Sequence, residues 1–181
     1  MPDSLFNQGE LAAVMQARLG RVGDAVAMLA SAELDSSAGG FEKVCGGSFL
    51  ELVALDRGSA KPSQQRSGQG GVSLTYKVPY TGSTEILTRW ASVVESSPLR
   101  GRVMGQEVLI SRTFDASASA DGIKQWASET LDTIERRVRF GNADAAAYNE
   151  AVKQAVRAAI GERVAAERRM AELQKDLGIG A

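Results

Sequence analysis

At 181 residues, with 44% hydrophobic and 24% charged side chains, the chain has the size and composition of one ordinary folded domain, so neither disorder nor membrane insertion is expected. The formal net charge is only −1, and the single cysteine, Cys45, excludes an intrachain disulfide and fits a reducing cytoplasm. The absence of histidine excludes Ser-His-Asp and Cys-His catalysis and every metal centre that needs imidazole.

The first predicted element is a helix from about Gly9 to Ala32. Asn7 and Glu10 have the spacing of a capping box, and apolar residues then recur every three or four positions. Gly20 and Gly23 fall in the middle of this helix. Because each glycine weakens a helix by roughly 1 kcal/mol relative to alanine, we expect a kink or a break there.

The next two segments have weaker patterns. Residues 49–55 are mostly apolar, and we predict a helix because the apolar side chains can share one face. Residues 57–71 are rich in Gly, Ser, Gln, Lys and Arg, which predicts a flexible linker. The run from Gly68 to Gly71 precedes a strand and is not followed by a helix, so it does not fit a phosphate-binding loop.

A small antiparallel sheet is predicted over residues 72–114. Its first strand has apolar residues at alternating positions: Val72, Leu74, Tyr76 and Val78. Pro79 is expected to end this strand because proline cannot donate a hydrogen bond to a sheet. Two further strands flank Gly105-Gln106, where the leading glycine predicts a two-residue hairpin turn of type II′.

Two long amphipathic helices joined at Gly141-Asn142 are predicted for residues 121–181. The first carries an apolar stripe on one face: Ile123, Ala127, Leu131, Ile134 and Val138. The second helix is expected to begin near Asn142 or Asp144 as its cap and to end at Gly178. Short connections of this kind join antiparallel helices, so a helical hairpin is expected.

The predicted fold class is therefore α+β: a small antiparallel sheet packed on helices, with a long C-terminal antiparallel helical hairpin. Residues 1–120 would form the α+β body and residues 121–181 the hairpin. The second helix of the hairpin would span about 50 Å, longer than a small sheet needs, so part of it should project from the body or bind a partner. The predicted partner-binding residues follow its apolar stripe: Val152, Val156, Ile160, Val164, Met170 and Leu173.

A mild basic belt runs from Arg57 to Arg112, with eight basic and three acidic side chains. Nucleic-acid-binding domains usually carry a larger and more clustered excess, so an ordinary solvated surface is the favoured interpretation. A second group of arginines suits the end of a helix, where cations complement the helix dipole. If these side chains do bind nucleic acid, the predicted contacts are Arg100, Arg102, Arg136, Arg137 and Arg139.

No catalytic residue, no cofactor and no metal site are predicted. Glu129, Asp132 and Glu135 lie on one side of a helix, but each has a helical arginine or solvent to explain it. Cys45 has few basic neighbours in the sequence, so a buried or inert thiol is expected. Both tryptophans are expected to be core aromatics rather than ligand platforms.

Four motifs between residues 72 and 179 suggest a relationship. They are Val78 to Glu85, Pro98 to Val103, Asn142 to Asp144 with Tyr148-Asn149, and Leu177 to Ile179. This part of the chain resembles an uncharacterised bacterial module that is found N-terminal to restriction-endonuclease-like nuclease domains, and the nuclease part is absent here. The resemblance implies a genomic-defence or nuclease-regulating setting, with catalysis on a separate effector protein, and it supplies no catalytic residues.

The function predicted from the sequence is a non-catalytic regulatory or scaffold subunit that mediates protein–protein association in the cytoplasm. Its partner would be a second copy of the chain, as a homo-oligomer, or a separate effector protein. The alternative is a nucleic-acid-binding accessory protein. An enzyme that uses acids and a metal alone is the least favoured interpretation, because the chain lacks imidazole.

Overall fold

The computed structural model describes residues 4–35, 39–66, 71–93, 99–115 and 117–178. The chain divides into two compact units, each built from two stretches of sequence. Unit 1 comprises Met1–Ala13 and Leu50–Ala146, and unit 2 comprises Val14–Phe49 and Ala147–Ala181. This division differs from the predicted boundary near residue 120, because the long C-terminal helix contributes residues to both units.

All strands of the described residues belong to unit 1. In the described residues they are β1 (Ser4–Leu5), β2 (Ala54–Leu55), β3 (Lys61–Arg66), β4 (Val72–Thr81), β5 (Leu99–Arg100), β6 (Arg102–Met104) and β7 (Glu107–Phe114). β1 and β5 form an antiparallel pair. The other five strands form one antiparallel sheet, in which β4 pairs with β7 on one side and with β2 and β3 on the other, and β6 extends β7. The predicted α+β class with a small antiparallel sheet is confirmed.

The helices differ from the prediction at both ends of the chain. Those described are α1 (Leu11–Leu19), α2 (Val22–Ala27), α3 (Ser31–Asp35), α4 (Gly39–Ser48), α5 (Thr84–Thr88) and α6 (Ala120–Asp176). The single helix predicted from Gly9 to Ala32 is thus three short helices. The first break falls at Gly20, where a break was expected from the low helix propensity of glycine. Gly178 has a φ of +66° and follows the end of α6, as predicted for a terminating glycine.

Both predictions for residues 49–71 are wrong in the described residues. Residues 49–53 are not helical, and Ala54–Leu55 pairs with β4. The expected linker contains a 3-10 turn, Arg57–Ser59, and the six-residue strand β3. Backbone pairing with β4 forms β3 from a polar sequence, which is a tertiary effect that composition does not report. Residues 67–70, with most of the glycine run, lie outside the described residues, as do Pro98 and Ile179.

β4 does not end at Pro79, contrary to the prediction. Pro79 lies where the neighbouring strand changes from β3, whose register reaches Lys77, to β2, whose register begins at Tyr80. The missing N–H of proline is therefore tolerated there. The hairpin between β6 and β7 has a two-residue loop with φ of +60° at Gly105 and no positive φ at Gln106, which fits the predicted type II′ turn.

The predicted helical hairpin is wrong, because α6 is one continuous helix of 57 residues. Gly141 is a close-packing position rather than a break. A Cβ atom at Gly141 would lie 2.7 Å from Cγ2 of Ile86, so the missing side chain lets α5 approach the helix. An isolated glycine costs a helix only about 1 kcal/mol, which packing of this kind offsets.

Asn142 and Asp144, which were interpreted as helix caps, make tertiary contacts from the middle of α6. Asn142 Oδ1 accepts a hydrogen bond from Val53 N, and Asn142 Nδ2 donates one to Val53 O, both at 2.8 Å. Asp144 accepts hydrogen bonds from Ser92 N and Ser92 Oγ, both at 2.7 Å. These side chains therefore hold irregular segments of unit 1 against the helix.

Each unit has its own apolar core. In unit 1 the largest fully buried side chains are Leu5, Leu11, Leu50, Val78, Ile86, Leu87, Val108, Ile110 and Ile134. The predicted apolar stripe on the first part of α6 is buried at Ala127, Leu131, Ile134 and Val138, as expected. In unit 2 the buried side chains include Val22, Val26, Leu29, Val44, Cys45, Val152 and Val156.

Candidate functional site

A concavity of about 590 Å³ lies in unit 1 along the outer edge of β7. Its lining residues come from β4, β5, β7 and α6: Ser73, Leu99, Arg100, Ser111, Arg112, Thr113, Trp126 and Thr130. β6 pairs with β7 only as far as Leu109, so among the described strands none continues that side of β7 beyond this residue. We refer to this site as the sheet-edge concavity.

Trp126 is held in the sheet-edge concavity by two other aromatic rings. Its centroid lies 6.1 Å from that of Tyr76 at an interplanar angle of 59°, and 5.3 Å from that of Phe114 at 74°. The guanidinium carbon of Arg112 lies 5.1 Å from the centroid of Phe114. The tilted and edge-on geometries are those that aromatic quadrupoles favour, so the indole has a fixed orientation.

The two charged groups that line the sheet-edge concavity are both hydrogen-bond donors, whereas the hydroxyl groups of its Ser and Thr residues can donate or accept. Arg100 and Arg112 are exposed, and guanidinium groups can only donate. The hydroxyl of Thr130 donates to Trp126 O at 2.7 Å, and Ser111 Oγ lies 2.7 Å from Thr75 Oγ1. No carboxylate is found among the described residues that line the concavity. The site is therefore electropositive.

The structure separates the five predicted nucleic-acid contacts. Arg100 lines the sheet-edge concavity, whereas the lining does not include Arg102, Arg136, Arg137 or Arg139. The guanidinium carbon of Arg137 lies 5.6 Å from the centroid of Phe6. Arg112 lines the concavity together with Arg100, although the sequence pattern marks it only as the last residue of the basic belt. Phe114, an aromatic residue two positions further along the same strand, is the sequence feature that could have indicated a site at Arg112.

Arg57, the first residue of the predicted basic belt, is neutralised within unit 1. Its Nη1 lies 2.6 Å from Asp132 Oδ1 and 3.1 Å from Glu135 Oε2. The hydrogen bond to Asp132 is the main reason why the pKa of Arg57 is raised above its ordinary value. The helical spacing predicts an arginine of the same helix, or solvent, as the partner of each of these acids, and it does not predict Arg57.

A second concavity, of about 500 Å³, lies in unit 2. It is lined by Arg18, Arg21, Ala25, Met28, Leu29, Lys43, Val44, Gly47 and Ser48. Two of its cations have partners, since Lys43 Nζ lies 2.8 Å from Glu33 Oε1 and Arg18 Nη1 donates to Phe49 O at 3.3 Å. This concavity is therefore less suited to an anionic ligand than the sheet-edge concavity.

The predicted partner-binding stripe is divided by burial. Val152 and Val156 have no exposed surface, so the prediction that they form a docking surface is wrong in this structure. Ile160 and Val164 are half-buried. Met170 and Leu173 are 58% and 53% exposed, and Leu177 is 62% exposed, so only the last turns of α6 present apolar side chains to solvent.

Val152 and Val156 are buried because α6 packs against the helices of unit 2. Tyr148 OH donates a hydrogen bond to Ser48 O at 2.9 Å. The amine of Lys153 lies 5.9 Å from the centroid of Phe49, and the guanidinium carbon of Arg157 lies 5.1 Å from that of Phe41. These contacts place that part of the stripe in a core, which spacing alone does not distinguish from a surface.

Cys45 lies in the same core, and its burial was predicted. Desolvation raises the pKa of the Cys45 thiol, and the nearby charges of Lys153 and Arg157 oppose that shift without reversing it. The thiol is therefore the dominant form at neutral pH. Trp90, which was expected in the core, is 44% exposed, whereas Trp126 is partly buried.

Metal clusters, membrane-spanning helices and similarity to known proteins bear on the wider classification of the protein. Among the residues that the structure describes, no three acidic or cysteine side chains come together as a metal site would require. None of the described helices combines the length and the hydropathy of a membrane-spanning segment. The resemblance to a nuclease-associated module stays a prediction. Neither the protein-family models nor the curated proteins nor the solved structures contain a match to this chain.

Proposed function

We propose that the protein is a non-catalytic association subunit whose docking surface is the last part of α6. Within unit 2, the segment Val14–Phe49 contacts α6 as far as Glu167, whose carboxylate accepts a hydrogen bond from Ser31 Oγ at 3.3 Å. All residues from 168 to 178, which we call the terminal section, are exposed. Exposed apolar side chains on one face of such a segment are typical of a protein interaction site.

The apolar face of the terminal section continues the buried face of the same helix. Met170 follows Val152 by five turns at about 3.6 residues per turn, so both side chains leave the helix at the same angle. Leu173 and Leu177 lie within about 60° of that direction. The apolar face that packs in the core of unit 2 at Val152 is thus repeated in the terminal section, where none of the residues that the structure describes covers it. This observation carries the proposal.

The spacing of the exposed residues fits the seam of a two-stranded coiled coil. Met170 and Leu177 occupy a positions and Leu173 the d position between them, with Ala166 at the preceding d position. Apolar side chains at these positions insert between side chains of a facing helix. A helix with the same pattern is a suitable partner, and a second copy of this chain supplies one.

The flanking charges favour an antiparallel arrangement of two copies. In a parallel pair, g and e positions face each other, which would bring Glu162 of one copy to Glu167 of the other. In an antiparallel pair, g positions face g positions. Arg169 and Asp176 are both g positions, so Arg169 of each copy lies opposite Asp176 of the other copy. Like charges that face each other are destabilising and opposite charges contribute modestly, so charge complementarity selects the antiparallel pair.

Light scattering coupled to size-exclusion chromatography tests this proposal. The wild-type chain is expected to form a concentration-dependent dimer, and Leu173→Asp is expected to weaken dimerisation by at least about tenfold. Ala171→Asp is the matched control, because position 171 is exposed and lies about 160° around α6 from Leu173, so it adds the same charge away from the apolar face and should leave the dimer unchanged. A wild-type chain that stays monomeric at the highest accessible concentration would contradict the proposal.

A charge exchange tests the orientation. Asp176→Arg alone should weaken the dimer, because it places two arginines opposite each other. Adding Arg169→Asp to the same chain should restore it, since each new aspartate then faces a new arginine. Restoration is expected only for the antiparallel pair. The resemblance to a module linked to nucleases supports a bacterial defence setting for this scaffold, in which the dimer would position a separate effector.

A further inference from the structure

We propose that the sheet-edge concavity of unit 1 binds a nucleotide, with its phosphate against Arg100 and Arg112 and its base beside Trp126. This inference goes beyond the association through α6 and does not depend on it. The three residues come from β5, β7 and α6 and line one concavity.

The charge of the sheet-edge concavity favours an anion with several acceptor oxygens. Arg100 and Arg112 place two permanently charged donor groups at the site. Carboxylates, which would repel an anion, are missing among the described residues that line it. Phosphate oxygens match the forked geometry of a guanidinium group, which can donate two hydrogen bonds to them.

The aromatic wall favours a ligand that also carries a flat ring. Trp126 is fixed by Tyr76 and Phe114, so its indole would lose little freedom when a base packs against it. Stacking of a base on an aromatic side chain contributes to nucleotide binding whatever the identity of the base. An anion without a ring would leave this wall in water. The combination of two arginines and a fixed indole therefore specifies a nucleotide better than a simple anion.

The size of the sheet-edge concavity agrees with a ligand of this kind. Its volume of about 590 Å³ falls within the range of roughly 300–1,000 Å³ that small-molecule sites occupy. The edge of β7 beyond Leu109 also offers backbone groups that are not used by β6. A free nucleotide and one nucleotide of a single strand present the same phosphate and base, so both are sources of the ligand chemistry.

Fluorescence of Trp126 provides a direct test. The Trp90→Phe variant removes the other tryptophan and leaves Trp126 as the only indole reporter. This variant of the full chain is titrated in low salt with an equimolar mixture of the common nucleoside 5′-monophosphates, with a mixed-sequence single-stranded oligonucleotide, with inorganic phosphate, and with uncharged nucleosides. Saturable quenching by the monophosphates or by the oligonucleotide is expected, and the comparison between those two identifies the source.

Arginine variants in the same background separate a defined site from a general charge effect. Arg112→Gln and Arg100→Gln are each expected to weaken nucleotide binding by about tenfold, because each removes a charged hydrogen-bond donor. Arg139→Gln is the matched control, since Arg139 is exposed on α6 and does not line the concavity. Thermal unfolding of each variant checks that these exposed substitutions leave the fold intact.

Three results would overturn the inference. The first is no saturable change in Trp126 fluorescence with either phosphate-bearing nucleotide source up to about 1 mM. The second is an equal loss of affinity in Arg139→Gln and Arg112→Gln, which would indicate only a general attraction to positive charge. The third is equal affinity for inorganic phosphate and for nucleotides, which would exclude the contact between base and Trp126.

Discussion

Gly82 occupies a backbone position in unit 1 that a side chain cannot share. Its φ is +96°, and an added Cβ atom would lie 2.3 Å from Leu52 O. Gly82→Ala should therefore lower the free energy of unfolding by about 3 kcal/mol or more, through both strain and a backbone clash. Gly178→Ala is the control, because Gly178 also has a positive φ but has open space around it, so about 1 kcal/mol or less is expected. Equal effects in urea unfolding would show that the clash is relieved.

Asn142 joins α6 to an irregular segment through its amide group. Asn142→Asp keeps the shape but replaces the donor to Val53 O with a carboxylate oxygen. The loss of this hydrogen bond and the repulsion between two acceptors should cost about 1–3 kcal/mol in the free energy of unfolding. Gln154→Glu makes the same chemical change at an exposed position of α6 outside the terminal section and should have little effect. Urea unfolding with an unchanged m-value measures both, and no difference between them would contradict this role of Asn142.

At the scale of the element, α6 serves packing and docking with the same face. Val156→Asp places a charge in the core of unit 2 and should cost more than about 4 kcal/mol, which is enough to unfold that unit. Leu173→Asp alters an exposed side chain and should change monomer stability by less than about 0.5 kcal/mol. Circular dichroism during heating distinguishes the two. A folded Val156→Asp chain that only fails to associate would contradict the burial of Val156.

Elements with a strong local signal were predictable from the sequence. The alternation of β4, the Gly105 turn and the helical period of α6 are local properties, and the structure agrees with them. β3 was not predictable, because pairing with β4 forms a strand from polar residues. The continuity of α6 was missed for a related reason. Gly141 and Asn142 have the chemistry of a helix end, but their contacts with Ile86 and Val53 arise only in the folded chain.

The candidate site was only partly predictable. Arg100 was identified from the basic belt, but its approach to Arg112 and Trp126 depends on β5 and α6 meeting the edge of β7, a juxtaposition of residues distant in sequence. The pairing of Arg57 with Asp132 likewise joins residues far apart in the chain. The helical period predicts the apolar stripe on α6 as a set of positions. Its division into a buried part and an exposed part requires knowledge of where unit 2 ends.

At the scale of the whole molecule, the absence of histidine predicts a stability plateau between about pH 5 and pH 8. Below it, stability should fall. Hydrogen bonds lower the carboxyl pKa values of three acids below their ordinary values, which are 4.5 for Glu and 3.8 for Asp. The main donor is Lys43 for Glu33, Ser59 for Asp56 and Ser117 for Asp115. Because these pKa values are lowered by folding, their contribution is complete above the ordinary pKa and is lost as pH falls through the folded one. Unfolding by urea across this range measures the acid limb.

The alkaline limb has a separate origin. Burial raises the pKa of the Cys45 thiol and of the Tyr148 phenol above their ordinary values of 9.0 and 10.0. Their contribution to stability is complete below those values and is lost as pH rises through the folded pKa. Cys45→Ala should therefore show a shallower loss of stability above about pH 9 than the wild-type chain. Parallel alkaline profiles would show that Cys45 does not contribute.

The last turns of α6 stay helical because they extend a helix that is already formed in the packed part of α6. Forming the first turn of a helix is the unfavourable step, and here that step is completed inside unit 2, where Tyr148 and Arg157 are anchored. Each later residue adds one hydrogen bond with no burial to reinforce it, so the end frays progressively. Trypsin should then cut an unoccupied chain at Arg168, Arg169 and Lys175 and spare a docked one. The protease sensitivity of the end of α6 therefore reports whether a partner is bound to it.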